Sequence, residues 1–252
     1  MSDNLKVIGI GGAGVNSIQN LDLQNKLLVD SARFKSIEEV KNFIEISNVT
    51  NKSIIVSSPA GEFSSSVLPT VCSTLHSRGE NVYLISIMPF FNESPERKKR
   101  GERTLKTLKK NIDTLVVIEN ENFASSMIEH TVAEMFSRIN SHICSLVKDF
   151  SILTNVIPDA RRVGLFTSSG NTLEDLEKNI IFTSNLKNDG MVGIATFRSL
   201  EEYQRLVNYF PVDFVYSDFG DNLSISGVTL FDSQPIGNNP GLPSELCSHR
   251  EI

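Results

Sequence analysis

The 252-residue sequence has no tryptophan, three widely separated cysteines and no long apolar run. Cys72, Cys144 and Cys247 are odd in number and far apart, which excludes a disulfide framework and a zinc-binding spacing. No apolar stretch reaches the length that spans a bilayer, so no transmembrane segment is expected. The opening MSDNLK lacks the apolar core of a signal peptide, and the cytoplasm is the expected compartment. An excess of positive charge is missing too. Thirty acidic residues against 24 Lys and Arg leave −6, a balance that argues against nucleic acid as the main partner. The remainder is ordinary for a soluble globular chain, with 40% hydrophobic and 21% charged residues. The length suffices for one large or two small domains with a proper core.

Apolar blocks alternate between strand and helix period. LKVIGI, NKLLV, SIIVSS (53–58), VYLISIM (82–88) and TLVVIEN (114–120) read as buried strands. Helical stretches fall between them: Asn16–Leu21, SIEEVKNFIEI, SSVLPTVCSTLHSRG and PERKKRGERTLKTLKKNID. The pattern predicts a parallel sheet with helices on both faces. A longer helix is expected over about Glu129–Asp149, where Val132, Phe136, Ile139, Ile143, Leu146, Val147 and Phe150 form one apolar face. Beyond it a smaller α/β block is predicted. It holds a strand at RRVGLFTSS, a helix at TLEDLEKNIIFTSN opened by Thr172, a strand at MVGIATF and a helix boxed by Ser199 and Glu202. DFVYSDF and LSISGVTLFD read as a hairpin turning at 220–222. The last twenty residues, rich in Gly, Pro, Asn and Ser, are expected to be disordered.

Four glycines stand where the first strand meets a helix, in VIGIGGAGVNSI (7–18). A glycine turn into a helix N-terminus suits an anion, because free N–H groups and the helix dipole point at it. The competing explanation is a tight connection kept for packing alone. Gly9, Gly11 and Gly14 also satisfy G-x-G-x-x-G, and Asp30 ends the next strand, so an NAD-binding Rossmann enzyme is one reading. The later segments do not continue it, and no nucleophile–base pair accompanies it.

Several of those segments together resemble the FtsZ/tubulin superfamily, and FtsZ most closely. VIGIGGAGVNSIQNL is similar to that family's first nucleotide loop. ISIMPFFNESPER carries its PFxxExxxR pattern in Pro89, Phe90, Glu93 and Arg97. LKKNIDTLVVIENENF resembles the FtsZ strand that usually reads VDTLIVIPN, with Asn120 in place of the motif's Asn. LVKDFSILTNVIPDA resembles the end of the central helix and the loop beyond it. The resemblance runs from Lys6 to about Asp232. FtsZ is longer, and this chain lacks about one loop and helix between Asp30 and Ser53. The resemblance implies a tubulin/FtsZ-like α/β fold: a Rossmann-like GTPase-type domain at 1–128, a central helix at 129–150, a smaller α/β domain at 151–232 and a tail at 233–252.

Carried over residue by residue, the resemblance places a guanine nucleotide against Gly11, Gly12, Ala13, Gly14, Asn16, Gly61, Glu93, Arg97, Asn120, His130 and Glu134. His130 and Glu134 stand where the family usually has the base-stacking Phe and base-reading Asp; alternatively they are an ordinary helix histidine and a solvated carboxylate. Glu93 and Arg97 either contact the ligand or cap the following helix. The family's second phosphate loop is a glycine box, which falls here on residues 58–66. Only Gly61 remains of it, while Pro59 removes a donor, Glu62 adds charge and Phe63 adds bulk where a phosphate should lie. Ser64–Ser66 offer hydroxyls in exchange. GTP or GDP is therefore expected to bind weakly, with Mg only alongside GTP.

FtsZ completes its active site between subunits through NxDxxD. The matching segment has Asn155, but Ile157 and Ala160 replace the acids and Asp159 is one residue out of register. Ile cannot orient water, so little or no GTP hydrolysis is expected. The implied protein is a cell-division or cytoskeletal filament component that self-associates head to tail, with a division or cytoskeletal protein as a further partner. The alternative is a pseudo-GTPase module that does not polymerise and acts on a partner filament. The tail shows no sign of the short peptide by which FtsZ recruits membrane adaptors. The eight Lys and Arg between Arg97 and Lys110 make a basic face, either solvated or turned to an acidic partner, nucleic acid or an anionic membrane.

Overall fold

The computed structural model describes residues 5–90, 92–120, 131–156, 163–178, 181–182, 191–209, 213–219 and 223–230. The chain divides into two units between Cys144 and Ser145, inside one helix. The first unit runs β1 (Leu5–Ile10), α1 (Gly11–Ile18), β2 (Lys26–Val29), α2 (Ile37–Glu45), β3 (Lys52–Ser57), α3 (Glu62–Ser77), β4 (Asn81–Met88), α4 (Pro95–Leu108), β5 (Thr114–Glu119) and the start of α5 (Val132–Val156). Its five strands are all parallel, in the order β2-β1-β3-β4-β5. The winding therefore reverses between β1 and β3, and in such sheets a crevice opens there, beyond the carboxyl ends of the strands.

The central strand β3 is buried throughout, with Ile54, Ile55 and Val56 wholly inaccessible, as a strand covered on both faces must be. Ile8, Ile10, Ile55 and Leu84 of the sheet pack with Val40 and Ile44 of α2 and Leu68, Val71, Cys72 and Leu75 of α3. Helix starts follow local chemistry. Ser36 Oγ accepts from Glu39 N at 3.1 Å to open α2, and Ser94 Oγ accepts from Arg97 N at 3.3 Å before Pro95 opens α4. α4 buries Gly101, Thr104 and Leu108 and exposes Lys99, Arg103 and Lys106. α1 begins at Gly11, directly after β1, five residues earlier than the apolar pattern predicts.

At the opposite end of the sheet a buried carboxylate ties the strand starts together. Glu80, just before β4, accepts from Lys6 Nζ at 3.2 and 3.4 Å and from Thr50 Oγ1 at 2.9 Å. Ser53 Oγ also donates to it, and Arg78 stands 3.3 Å away. Burial lowers the Lys6 pKa, and the Glu80 charge opposes that shift.

The second unit holds β6 (Val163–Gly170), α6 (Leu173–Lys178), β7 (Ile181–Phe182), β8 (Met191–Phe197), α7 (Leu200–Tyr209), β9 (Asp213–Phe219) and β10 (Leu223–Leu230). Thr172 caps α6 as expected, its Oγ1 accepting from Asp175 N at 3.1 Å. That helix stops at Lys178, however, and Ile181–Phe182 pairs with β6 instead of extending it. Ser199 caps α7, but Glu202 accepts from the N–H of Arg198 rather than that of Ser199. The expected hairpin is absent. The order is β7-β6-β10-β8-β9, so β8 lies between β9 and β10. β9 runs parallel to β8 through α7, and β10 inserts antiparallel between β6 and β8. Among the described residues no helix is long and apolar enough to cross a membrane.

Glu80→Ala leaves Lys6 a buried, unmatched cation and should cost about 3–5 kcal/mol in urea unfolding, with Glu80→Gln costing less. Burial also holds the His142 imidazole on α5 below its ordinary pKa. Between the two values the unfolded chain binds more protons, so stability should fall as pH drops below about 6.5. His142→Gln should flatten that slope in thermal melts taken from pH 8 to 5.

Candidate functional site

A cavity of about 770 Å³ opens at the carboxyl ends of the first sheet, beside the reversal of strand order. That volume lies in the range of small-molecule sites. α1 contributes Ala13 and Asn16, the end of β3 contributes Ser58, and the end of β5 contributes Asn120. The end of β4 and the segment after it supply Ile87, Met88, Pro89, Phe90, Asn92, Glu93 and Arg97. α5 supplies Val132, Met135, Phe136, Ile139 and Asn140, one face at i, i+3, i+4, i+7 and i+8.

Asn120 is 4% exposed, and its Oδ1 is buried without a hydrogen-bond partner among the described residues. A buried acceptor left unmatched costs about 1–3 kcal/mol, and this one belongs to a residue of the cavity wall. Asn140 is held from the other direction. Ser17 Oγ lies 2.9 Å from its Oδ1 and 2.8 Å from the Ala13 carbonyl, fixing α5 to α1 at the cavity wall. Phe90 and Phe136 meet edge to face at 5.7 Å, an apolar pair with Phe136 still 45% exposed. Glu93 accepts from Phe90 N at 2.9 Å and pairs with Arg97. The guanidinium keeps further donors beyond that pair.

The glycines divide by function. A Cβ on Gly14 would sit 2.0 Å from the Val56 carbonyl oxygen, and one on Gly9 2.8 Å from the Gly14 carbonyl oxygen. These two let α1 lie against the sheet. Gly11 has φ +70°, and a Cβ there would meet Ser64 Oγ at 2.2 Å. A Cβ on Gly12 meets nothing, so the N-terminus of α1 is open at that point. Around the start of α3, Gly61 N donates to the Ser58 carbonyl at 3.2 Å. The Ser65 and Ser66 hydroxyls donate back to Glu62 and Phe63 carbonyls of their own helix. The Glu62 side chain is 87% exposed and Phe63 packs against the core, so neither fills the cavity as their positions in the degraded loop suggest.

Of the residues singled out in the sequence, Ala13, Asn16, Glu93, Arg97 and Asn120 line one cavity. Gly11, Gly12 and Gly14 lie in the first turn of α1 and Gly61 directly precedes α3, and none of the four lines the cavity. Glu134 is exposed and outside the lining; its carboxylate accepts from Thr131 N at 2.7 Å and Thr131 Oγ1 at 2.8 Å, a capping box at the start of α5. His130, Ile157, Asp159 and Ala160 lie outside the described residues, and Asn155 falls in the last turn of α5. Sequence reasoning missed Asn140, Met135 and the lining role of Val132 and Phe136. The available signal was the apolar stripe itself. It is buried at Ile139 and Ile143 but 62% exposed at Val132, so its first turns serve the cavity and not the core.

The order of this sheet, with a site over its carboxyl edge and a long helix forming one wall, defines a nucleotide-binding α/β class. Residues 25–127 match the model of the Tubulin/FtsZ family, GTPase domain. The empty FtsZ dimer from M. jannaschii is similar in structure, with a TM-score of 0.66, 16% identity and coverage of 92% of this chain and 89% of that one. CetZ2 from Haloferax volcanii, in its GTPgS-bound protofilament, has a TM-score of 0.63, 15% identity and coverage of 92% and 95%. TubZ of Clostridium botulinum phage c-st has a TM-score of 0.64, 11% identity and coverage of 98% and 97%. No curated protein matches the sequence. Residues 25–127 thus carry the GTPase-domain pattern of the Tubulin/FtsZ family, and the chain shares the fold of these FtsZ, CetZ and TubZ structures.

The glycine geometry separates two substitutions. Gly14→Ala should lower the melting temperature sharply, because the new methyl meets a β3 carbonyl that cannot move aside. Gly12→Ala, facing open space, should leave it unchanged or raise it by the helix propensity of Ala, about 1 kcal/mol at most.

Proposed function

We propose that this chain is an FtsZ-like cytoskeletal protein of the cytoplasm, serving cell division or a related filament process. It takes a guanine nucleotide weakly in the cavity at the carboxyl edge of the first sheet, assembles head to tail and hydrolyses the nucleotide poorly or not at all. The observation that carries the nucleotide reading is the orphaned Oδ1 of Asn120, buried at the end of β5 beside a cavity of ligand size. Asn16, Asn120 and Asn140 suit the polar edge of a base or the ribose, and Phe90 and Phe136 suit its flat faces. Arg97 and the open N-terminus of α1 at Gly12 suit phosphate. The survival of Gly61 alone from the glycine box supports weak binding, with Mg accompanying only a triphosphate.

Ile157 and Ala160, where family members carry acids, support the loss of hydrolysis, since phosphoryl transfer rests on positioning and electrostatics. CetZ2 and the TubZ of Bacillus thuringiensis serovar israelensis are similar chains seen as protofilaments, which supports head-to-tail assembly through a heterologous, repeating contact.

Calorimetric titration of the nucleotide-stripped protein should show GTP and GDP binding with NAD silent; no heat from either guanine nucleotide defeats the nucleotide reading. Sedimentation of the protein alone should yield a pellet that grows with concentration, with phosphate release at background. Ile157→Asp combined with Ala160→Asp should raise release by about tenfold or more. A protein that stays in the supernatant at every concentration is instead a module acting on a partner filament.

A further inference from the structure

We infer that the outer face of α4 is a docking surface for an extended acidic peptide segment of a partner protein. Residues 95–110 hold eight Lys and Arg against Glu96 and Glu102, while the rest of the chain holds 16 against 28 acids. Positive charge is concentrated on one element of an otherwise acidic protein. That element is where an anionic partner is drawn.

α4 turns Gly101, Thr104 and Leu108 to the core. Lys99, Arg103 and Lys106 stand at i, i+4 and i+7 on the opposite side, and Lys110 continues the row at i+11, just past the helix. All four are exposed, and none makes a hydrogen bond or ion pair among the described residues. Arg97 and Arg100 differ from them, being committed to Glu93 and to Glu62 with the Ala60 carbonyl. A second copy of the chain is poorly suited to fill the row. Glu45, Glu201 and Glu202 on its other helices already pair with Lys41, Arg205 and Arg198.

The row sets the shape of its partner. It is about 16 Å long, with successive cations about 4.5–6 Å apart along the helix axis. An extended chain places alternate side chains about 6.5–7 Å apart on one side, so roughly five residues with acids at alternate positions cover it. Such a short segment touches the basic face alone. A membrane or a long nucleic acid reaches past the row to a remainder of net negative charge. α4 also lacks the second contact that either of those would use. Leu105 and Leu108 pack inward and leave no apolar anchor for a bilayer, and the helix carries no aromatic ring on which a base could stack.

The test is fluorescence anisotropy of a labelled decapeptide of alternating Glu and Ser, titrated with the full-length chain at about 50 mM salt. Wild type should bind it saturably. Combined Lys99→Gln, Arg103→Gln and Lys106→Gln should weaken binding about tenfold, as should raising the salt to about 300 mM. Lys41→Gln, Lys148→Gln and Arg205→Gln together remove the same charge elsewhere and should change affinity by less than about twofold. A thermal melt of each variant shows that it is folded. No binding of the acidic peptide by wild type overturns the inference, and so does an equal loss in the two triple variants. Capture by phosphatidylserine vesicles or by single-stranded DNA with the peptide silent overturns it too, and assigns the face to that partner instead.

Discussion

The approach of α1 to the central strand sets the geometry of everything above it. At Gly14 the helix backbone comes so close to the Val56 carbonyl that a methyl group would lie 2.0 Å from its oxygen. Only glycine permits that distance. Because α1 lies flat on β3 there, its N-terminus emerges beside the end of β1, and Asn16 and Ala13 reach the cavity. Ser17, one turn further along than Ala13, is brought within hydrogen-bond range of Asn140. The positions of α1, of the start of α5 and of the cavity wall between them thus descend from one missing side chain.

Much of this was legible in the sequence because it is local. Apolar, β-branched runs marked each strand of the first sheet within a residue or two, and Thr172 and Ser199 mark helix starts that the hydrogen bonds bear out. The pairing of β10 was not legible. DFVYSDF and LSISGVTLFD carry the periodicity of a hairpin, yet both pair with β8, which lies more than a helix's length back along the chain. Periodicity records which face of a strand is buried and says nothing about which strand lies beside it.

The site was legible in proportion to how its residues sit on motifs. Asn16, Glu93, Arg97 and Asn120 fall on segments with a recognisable pattern and meet in one cavity. Asn140 falls on none. It is a polar residue flanking an apolar stripe, and only the Ser17 contact, 123 residues away in sequence, explains it. Gly9 and Gly14 were legible as glycines but not as to purpose, since a turn for phosphate and a close helix–strand contact demand the same residue. Phe63 shows the converse: its place in a degraded loop suggests obstruction, and tertiary packing sets it, half-buried, against the core.

The interleaved order of the second sheet bears on how the protein is made. β6 and β8 are not neighbours in the sheet; each is joined to the other through β10, the last of the described strands. During synthesis both must therefore wait with an open edge until residues 223–230 have left the ribosome. Unpaired edges of that kind are templates for stray pairing with other chains. The first unit, whose strands are all in place by Glu119, faces no such delay. Emergence of residues 223–230 is thus a folding step for the second unit and not for the first.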